Sequence, residues 1–243
     1  MSGNNGKNVV LVCAHPDDMW SVAGTLALLR RAGYGLFDFC LTRGQRGHSP
    51  GPGLDTGAVR SKEEEAACRV LGAETLFFDQ MDGELYATPE VCGRVATELA
   101  RIKPAAVITA WALEKPDHSA AFAIAHKALY LADLYWTTEF YFTQFDLSGY
   151  MFYPDVYVNV TAVIDTARAV ARCYPSQVSD AMVEQLVAHK RAVGQSAWCD
   201  YAEGFKTALP LINQRWGRTP EIGRVLLELA DDTRTPGAPS SDK

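Results

Sequence analysis

The chain has 243 residues, 48% of them hydrophobic, enough for one substantial core without a second domain. Its net charge is −6 and its pI about 5.4, with Lys and Arg scattered rather than clustered, which argues against a nucleic-acid partner. The first seven residues are polar and no run approaches the ~18 apolar residues that span a bilayer, so the expectation is a cytoplasmic protein without signal peptide or membrane span.

Residues 1–7 read as a disordered start. Residues 8–13 (NVVLVC) form a short β-rich run that ends on a charged motif. Residues 21–31 read as a helix stopped near Gly33, and 36–42 as the next strand. Residues 43–57 are a Gly/Pro-rich loop of a length that is usually functional or mobile. A helix over 59–71 closes at Gly72, and a short strand covers 75–78. Residues 89–102 form a helix with Thr88 as N-cap and Pro89 in first position. Residues 105–110 (AAVITA) are a buried strand, 119–134 a helix, and 139–145 and 156–160 alternate as strands do. Residues 161–172, 178–193 and 197–209 read as helices, and 231–243 as a disordered tail. One α/β domain is therefore expected over 8–230. The six cysteines form no C-x-x-C pair and are expected to be buried free thiols.

Alternating strands and helices predict a mostly parallel, Rossmann-like sheet with helices on both faces. Ligands of such sheets bind beyond the carboxyl ends of the strands. That edge collects His15, Asp17 and Asp18 after the first strand, and Arg43, Gln45 and Arg46 after the second. Asp82 and Glu84 follow the third, and Glu114, Lys115, Asp117 and His118 the fourth. A catalytic zinc needs about three N or O ligands and an open position for water. His15 and Asp18, three apart where strand gives way to helix, can reach one ion, and His118 can complete the set. Asp17 would then sit beside the metal's water as general base. The competing reading of His-Pro-Asp-Asp is a turn whose carboxylates cap the following helix.

The motifs resemble those of the LmbE-like/PIG-L family of zinc-dependent N-acetylglucosaminyl deacetylases. The matches are Ala14-His15-Pro16-Asp17-Asp18, Leu41-Thr42-Arg43-Gly44-Gln45-Arg46-Gly47, Arg60 with Glu63, Ala67 and Leu71-Gly72, Asp82-Gly83-Glu84-Leu85, and Pro116-Asp117-His118. Pro154-Asp155-Val156, Ser176-Gln177 and Tyr201-Ala202-Glu203-Gly204-Phe205 keep the order to about residue 206. The resemblance implies an LmbE-like fold and hydrolysis of the acetamide of an amino sugar. It carries the metal ligands to His15, Asp18 and His118 and the general base to Asp17. It puts Arg60 and Asp82 near a small-molecule amino-sugar substrate. Arg43 and Arg46 are candidates to orient that substrate, and Asp117 to support the ligands from behind. Zn2+ is the implied cofactor, although two His and one Asp suit other divalent ions as well. A homo-oligomer is compatible with the sequence. The chain also departs from the pattern. Met19 follows the two Asp residues where the family has Glu, and the turn is one residue shorter. Lys115 replaces a His that stabilises the oxyanion, and Asn159 and Tyr174 stand where many members have Asp and His. Lys115 is read as supplying the electrostatic part of that role. These departures leave two further readings: hydrolysis of another amide or an ester, and a catalytically degenerate binding protein.

Overall fold

A computed structural model describes residues 7–146, 151–208 and 226. In chain order the elements are β1 (Asn8–Cys13), a 3-10 turn (Asp18–Val22), α1 (Ala23–Arg31), β2 (Gly35–Thr42), α2 (Thr56–Leu71) and β3 (Ala73–Gln80). Then come α3 (Pro89–Ile102), β4 (Ala106–Ala110), α4 (Pro116–Leu131), β5 (Glu139–Thr143), β6 (Val156–Asn159), α5 (Ile164–Ala171), α6 (Asp180–Ser196) and β7 (Ala202–Thr207). The seven strands lie in the order β3-β2-β1-β4-β5-β7-β6. The first five run parallel, and β7 is antiparallel to both of its neighbours.

Alternation along the strands builds two cores. Val9, Leu11 and Cys13 of β1, with Ala106 and Ile108 of β4, face α1, α2 and α5. Val10 and Val12, with Val107, face α3 and α4. Strands buried on both sides read as unbroken apolar runs, as NVVLVC and AVITA do. Each fully buried Val or Leu here stabilises by about 1.5–3 kcal/mol. On α3, Val91, Cys92, Val95, Ala96, Leu99 and Ile102 make one apolar face at helical spacing, and the Thr88 side chain accepts from the Val91 N–H. All six cysteines are free thiols, four of them buried. No helix among the described residues is long and apolar enough to cross a membrane.

The expected elements are present, with one correction. Residues 202–207 are not helical but form β7. Gly204 there lies against Pro154, with space for no Cβ, and β7 takes the slot between β5 and β6. Smaller shifts are local. The helix expected from residue 21 begins as the 3-10 turn, and α4 starts at Pro116 rather than at residue 119. The expected disorder of 231–243 and of residues 1–6 lies outside the described residues.

The order β2-β1-β4 sets the position of the site. The chain leaves β1 toward β2 on one side and returns from β3 to β4 on the other, so the crevice beyond the ends of β1 and β4 is the topological switch point.

Candidate metal centre at the switch point

His15 leaves the end of β1 and His118 lies in the first turn of α4. Their rings approach to 5.3 Å between centroids. Asp18 stands between them. Its Oδ2 accepts the backbone N–H groups of Ala14 and His15, both at 2.9 Å, and its Oδ1 lies 3.1 Å from His118 Nε2. The turn therefore fixes this carboxylate through its own backbone and aims its free oxygen at the second imidazole.

Each imidazole is held from the rear by carboxylates. His15 Nε2 lies 3.2 Å from both Asp82 and Asp117, and His118 Nδ1 lies 2.7 Å from Glu114. Asp117 in turn accepts the N–H groups of Gly83 and Leu85, which explains the packing of Asp82-Gly83-Glu84-Leu85 against α4. The free faces, His15 Nδ1 and His118 Nε2, point to the same place as Asp18. Burial alone would lower the pKa of His15, but the bonds to Asp117, Asp18 and Asp82 push it up to about 12. Burial likewise works against His118, whose pKa Asp18 and Glu114 push up to about 10. Burial opposes the ionised form of Asp18, but the two histidines hold its carboxyl well below the usual range. A buried cluster with this excess of carboxylate is suited to a cation.

The same donors could group around an ion in other ways: His15 with Asp82 and Asp117, or His118 with Glu114 and Asp146. Those sets would use the imidazole nitrogens that the supporting carboxylates already occupy. His15, Asp18 and His118 keep that support intact, the usual arrangement around a metal-bound histidine. Substituting Glu114 by Gln is expected to weaken metal binding by about 10–100-fold without unfolding the chain, as read by competition with a chelator.

Asp17 takes a left-handed backbone, φ 102°, rare for a residue with a side chain and costing on the order of 1–3 kcal/mol. Two residues of α2 hold it there. Arg60 Nη2 donates to Asp17 Oδ1 at 3.0 Å, and Glu64 Oε2 accepts the Asp17 N–H at 3.0 Å. Arg60 reaches across because Gly44, itself at φ 63°, leaves room; a Cβ there would lie 2.2 Å from the guanidinium. Burial pushes the Asp17 carboxyl up to about 6, against the pull of Arg60.

The expected site residues fall into two groups. His15, Asp17, Asp18, Arg60, Asp82, Asp117 and His118 come together at the crevice. Within that group Asp82 and Arg60 are turned inward, Asp82 to His15 and to the Arg46 N–H, Arg60 to Asp17. Arg43, Arg46 and Lys115 lie at the rim. Arg43 pairs with Asp79 at 2.6 Å and covers the Phe77 ring, and Arg46 pairs with Glu84. Lys115 is 65% exposed and lies 2.8 Å from Asp146, which keeps its ammonium protonated. It is the N-cap residue of α4, and this position turns its side chain outward.

Three acidic residues at the site are not assigned by the sequence motifs. Glu114 precedes His118 by four, a spacing that brings it to the His118 ring. Glu64 follows Arg60 by four and shares its helix face, a signal hidden in the run Glu63-Glu64-Glu65. Asp146 lies beyond β5, next to Phe145, whose ring stands edge-on to His118. The long loop after β2 is tied down as well: Gln177 accepts the His48 N–H and donates to the His48 carbonyl, while Glu63 binds Ser176.

Behind Asp17, Glu64 and Asp38 are fully buried near one another. Burial raises both carboxyls, Asp38 to about 7. A carboxyl raised on folding contributes full stability below its unfolded pKa and loses it as pH rises through the folded value, here between about 4 and 7. Asp38→Asn is therefore expected to raise Tm by roughly 5–10 °C at pH 8 and to leave it nearly unchanged at pH 4, as measured by thermal melts at the two values.

The chain is similar to known proteins over most of its length. Residues 10–129 match the family model described as PIG-L, GlcNAc-PI de-N-acetylase. A 4-oxalmesaconate hydratase of Pseudomonas putida is 28% identical over 237 residues, covering 86% of this chain and 92% of its own. The crystal structure of the conserved protein TT1542 from Thermus thermophilus is 31% identical with a TM-score of 0.72, covering 88% of this chain and 99% of that one. The N,N'-diacetylchitobiose deacetylase of Pyrococcus horikoshii shares the fold at 22% identity, with a TM-score of 0.72 over 86% of this chain and 88% of that one. The chain belongs to the PIG-L/LmbE-like family.

Proposed function

We propose that the chain is a divalent-metal-dependent hydrolase that removes the acetyl group from an N-acetylated amino sugar or glycoside. The observation that carries this reading is the Asp17 carboxylate, held by Arg60 next to three converging donors, of which the two imidazoles are backed by other carboxylates and Asp18 by backbone N–H groups. His15, Asp18 and His118 would hold the ion, zinc by preference for such a donor set. A divalent cation supplies a lowered pKa for water and polarises a carbonyl. The chain's own residues do the rest. Asp17 takes the proton of the attacking water and returns it to the departing amine. Arg60 and Glu64 hold Asp17 in its left-handed backbone, so that its carboxylate stays beside the ligands rather than joining them. Lys115, paired with Asp146 at the exposed rim, is the candidate for positive charge near the carbonyl oxygen as it gains negative charge, a part that is electrostatic only. The test is acetate release by the zinc-loaded protein across N-acetylated sugars and glycosides; zinc bound without turnover on any of them would refute the reading.

The Pseudomonas putida relative favours a second reading, addition of water to a carboxylated alkene. The charges of this site weigh against it. A polycarboxylate calls for free cations, yet Arg43, Arg46, Arg60 and Lys115 are each paired with a carboxylate of the chain. A neutral acetamido sugar asks for no such cations. Hydration of 4-oxalmesaconate, followed by its ultraviolet absorbance, with no acetate released from sugars, would reverse the order of the two readings.

A further inference from the structure

Beside the metal centre lies a cavity of about 520 Å³ between the 3-10 turn, the segment after β5, the β6–β7 pair and α6. Helix α6 turns Met182, Leu186, His189 and Val193 toward it, a stripe at helical spacing, while Val183, Val187 and Gly194 pack inward. Leu186 packs partly on the core, and Gln185 and Ser196 of the same helix add polar groups at the cavity. Trp20, Phe145 and Phe152 make much of the remaining wall.

This cavity adjoins the ligand cluster. Phe145 stands edge-on to His118 with ring centroids 5.6 Å apart, the Ser21 hydroxyl donates to the Asp18 carbonyl at 2.5 Å, and Asp146 lies 3.9 Å from His118 Nδ1. Its charged groups are already matched: Lys190 with Glu203 at the floor, Asp146 with Lys115 at the edge. The wall is mainly apolar and aromatic, with the neutral polar side chains of Thr143, Gln144, Gln185 and Ser196 among it; its one lysine, Lys190, is paired, which disfavours phosphate or carboxylate, and the volume suits a small organic group.

We propose that this cavity binds a neutral apolar substituent, an aryl or alkyl aglycone, of the same substrate whose amide reacts at the metal centre. The choice of substrate rests on the deacetylase reading, but the binding step requires no turnover. Methyl and 2-naphthyl N-acetyl-β-glucosaminides are the probes, each titrated calorimetrically into the zinc-loaded full chain. The naphthyl glycoside is expected to bind at least 10-fold more tightly. In Leu186→Trp, which fills the cavity from α6, the ratio of the two affinities is expected to fall toward unity. Ser196→Trp, exposed at the mouth and easily tolerated by the fold, narrows the same space and serves if the first variant does not fold. Equal affinities in the unmodified chain, or a ratio that neither substitution moves, would overturn the proposal. A ratio that collapses in the variants, with no acetate released from either glycoside, would keep the cavity assignment and remove the deacetylase reading. Acetate release from both glycosides with equal affinities would do the reverse.

Discussion

Asp17→Asn is expected to lower kcat for acetate release by about 10²–10⁴-fold while KM, zinc content and Tm change little. The substitution removes the carboxylate that takes the proton and almost nothing else. Asn is one of the few residues other than Gly that tolerate a positive φ, so the backbone of the turn is retained. The Asn amide oxygen can still accept from Arg60, and the Asp17 N–H still donates to Glu64. Zinc stoichiometry is the discriminating control. If Asp17→Asn loses the metal, Asp17 is a ligand or a support for one, not a free base. If activity stays within threefold with metal retained, another group takes the proton. If ligand binding and biological effect both survive the loss of turnover, the degenerate-binder reading gains ground.

The grouping of the candidate site was legible because its residues are tied to strand ends, and strand ends can be read from a chain. Two apolar runs, NVVLVC and AVITA, each stop at an ionisable cluster, and parallel topology brings those clusters to one edge. That argument reaches His15, Asp18 and His118 from the residues alone. It does not single out the crevice between β1 and β4, since the strand order depends on pairings between distant segments. It also gives residue types rather than directions. Glu114 and Lys115 are neighbours in sequence, yet the start of α4 sends one to His118 and the other to Asp146 at the exposed rim. The β7 segment, Ala202–Thr207, misled for a related reason. The segment reads as part of a helix over 197–209, but it pairs as a strand, and Glu203 is buried because Lys190 and the start of α1 stand opposite it. Such partners are far apart in sequence and leave no periodic trace.

That buried pair is where the largest loss of stability is expected. Glu203 Oε1 and Oε2 accept the Gly24 and Thr25 N–H groups at 3.0 and 2.8 Å, closing the start of α1, and Oε1 also pairs with Lys190. Lys190 further donates to the Ser21 carbonyl at 2.7 Å. The two side chains therefore join β7 and α6 to the turn that carries Asp17 and Asp18. Lys190→Met leaves the Glu203 carboxylate buried without its cation, a change that costs about 3–5 kcal/mol in comparable pairs. For a domain of this size the cost corresponds to a fall in Tm of roughly 10 °C. The loss should lie toward the lower end of that range, because the α1 N–H groups continue to stabilise the carboxylate. Glu203→Gln leaves the ammonium buried without a counter-charge, with neutral carbonyl oxygens alone to accept from it, and sets an amide NH2 against the Thr25 N–H, so it is expected to cost more. Combining Lys190→Met with Glu203→Gln removes both charges and should recover part of the loss, so the double-mutant cycle gives a coupling energy well above zero. Additive single losses would mean that the pair is a packing contact rather than a charge pair. Zinc affinity gives a second readout: if the pair also positions the turn, the Lys190→Met variant should bind the ion more weakly at a temperature where it is still fully folded.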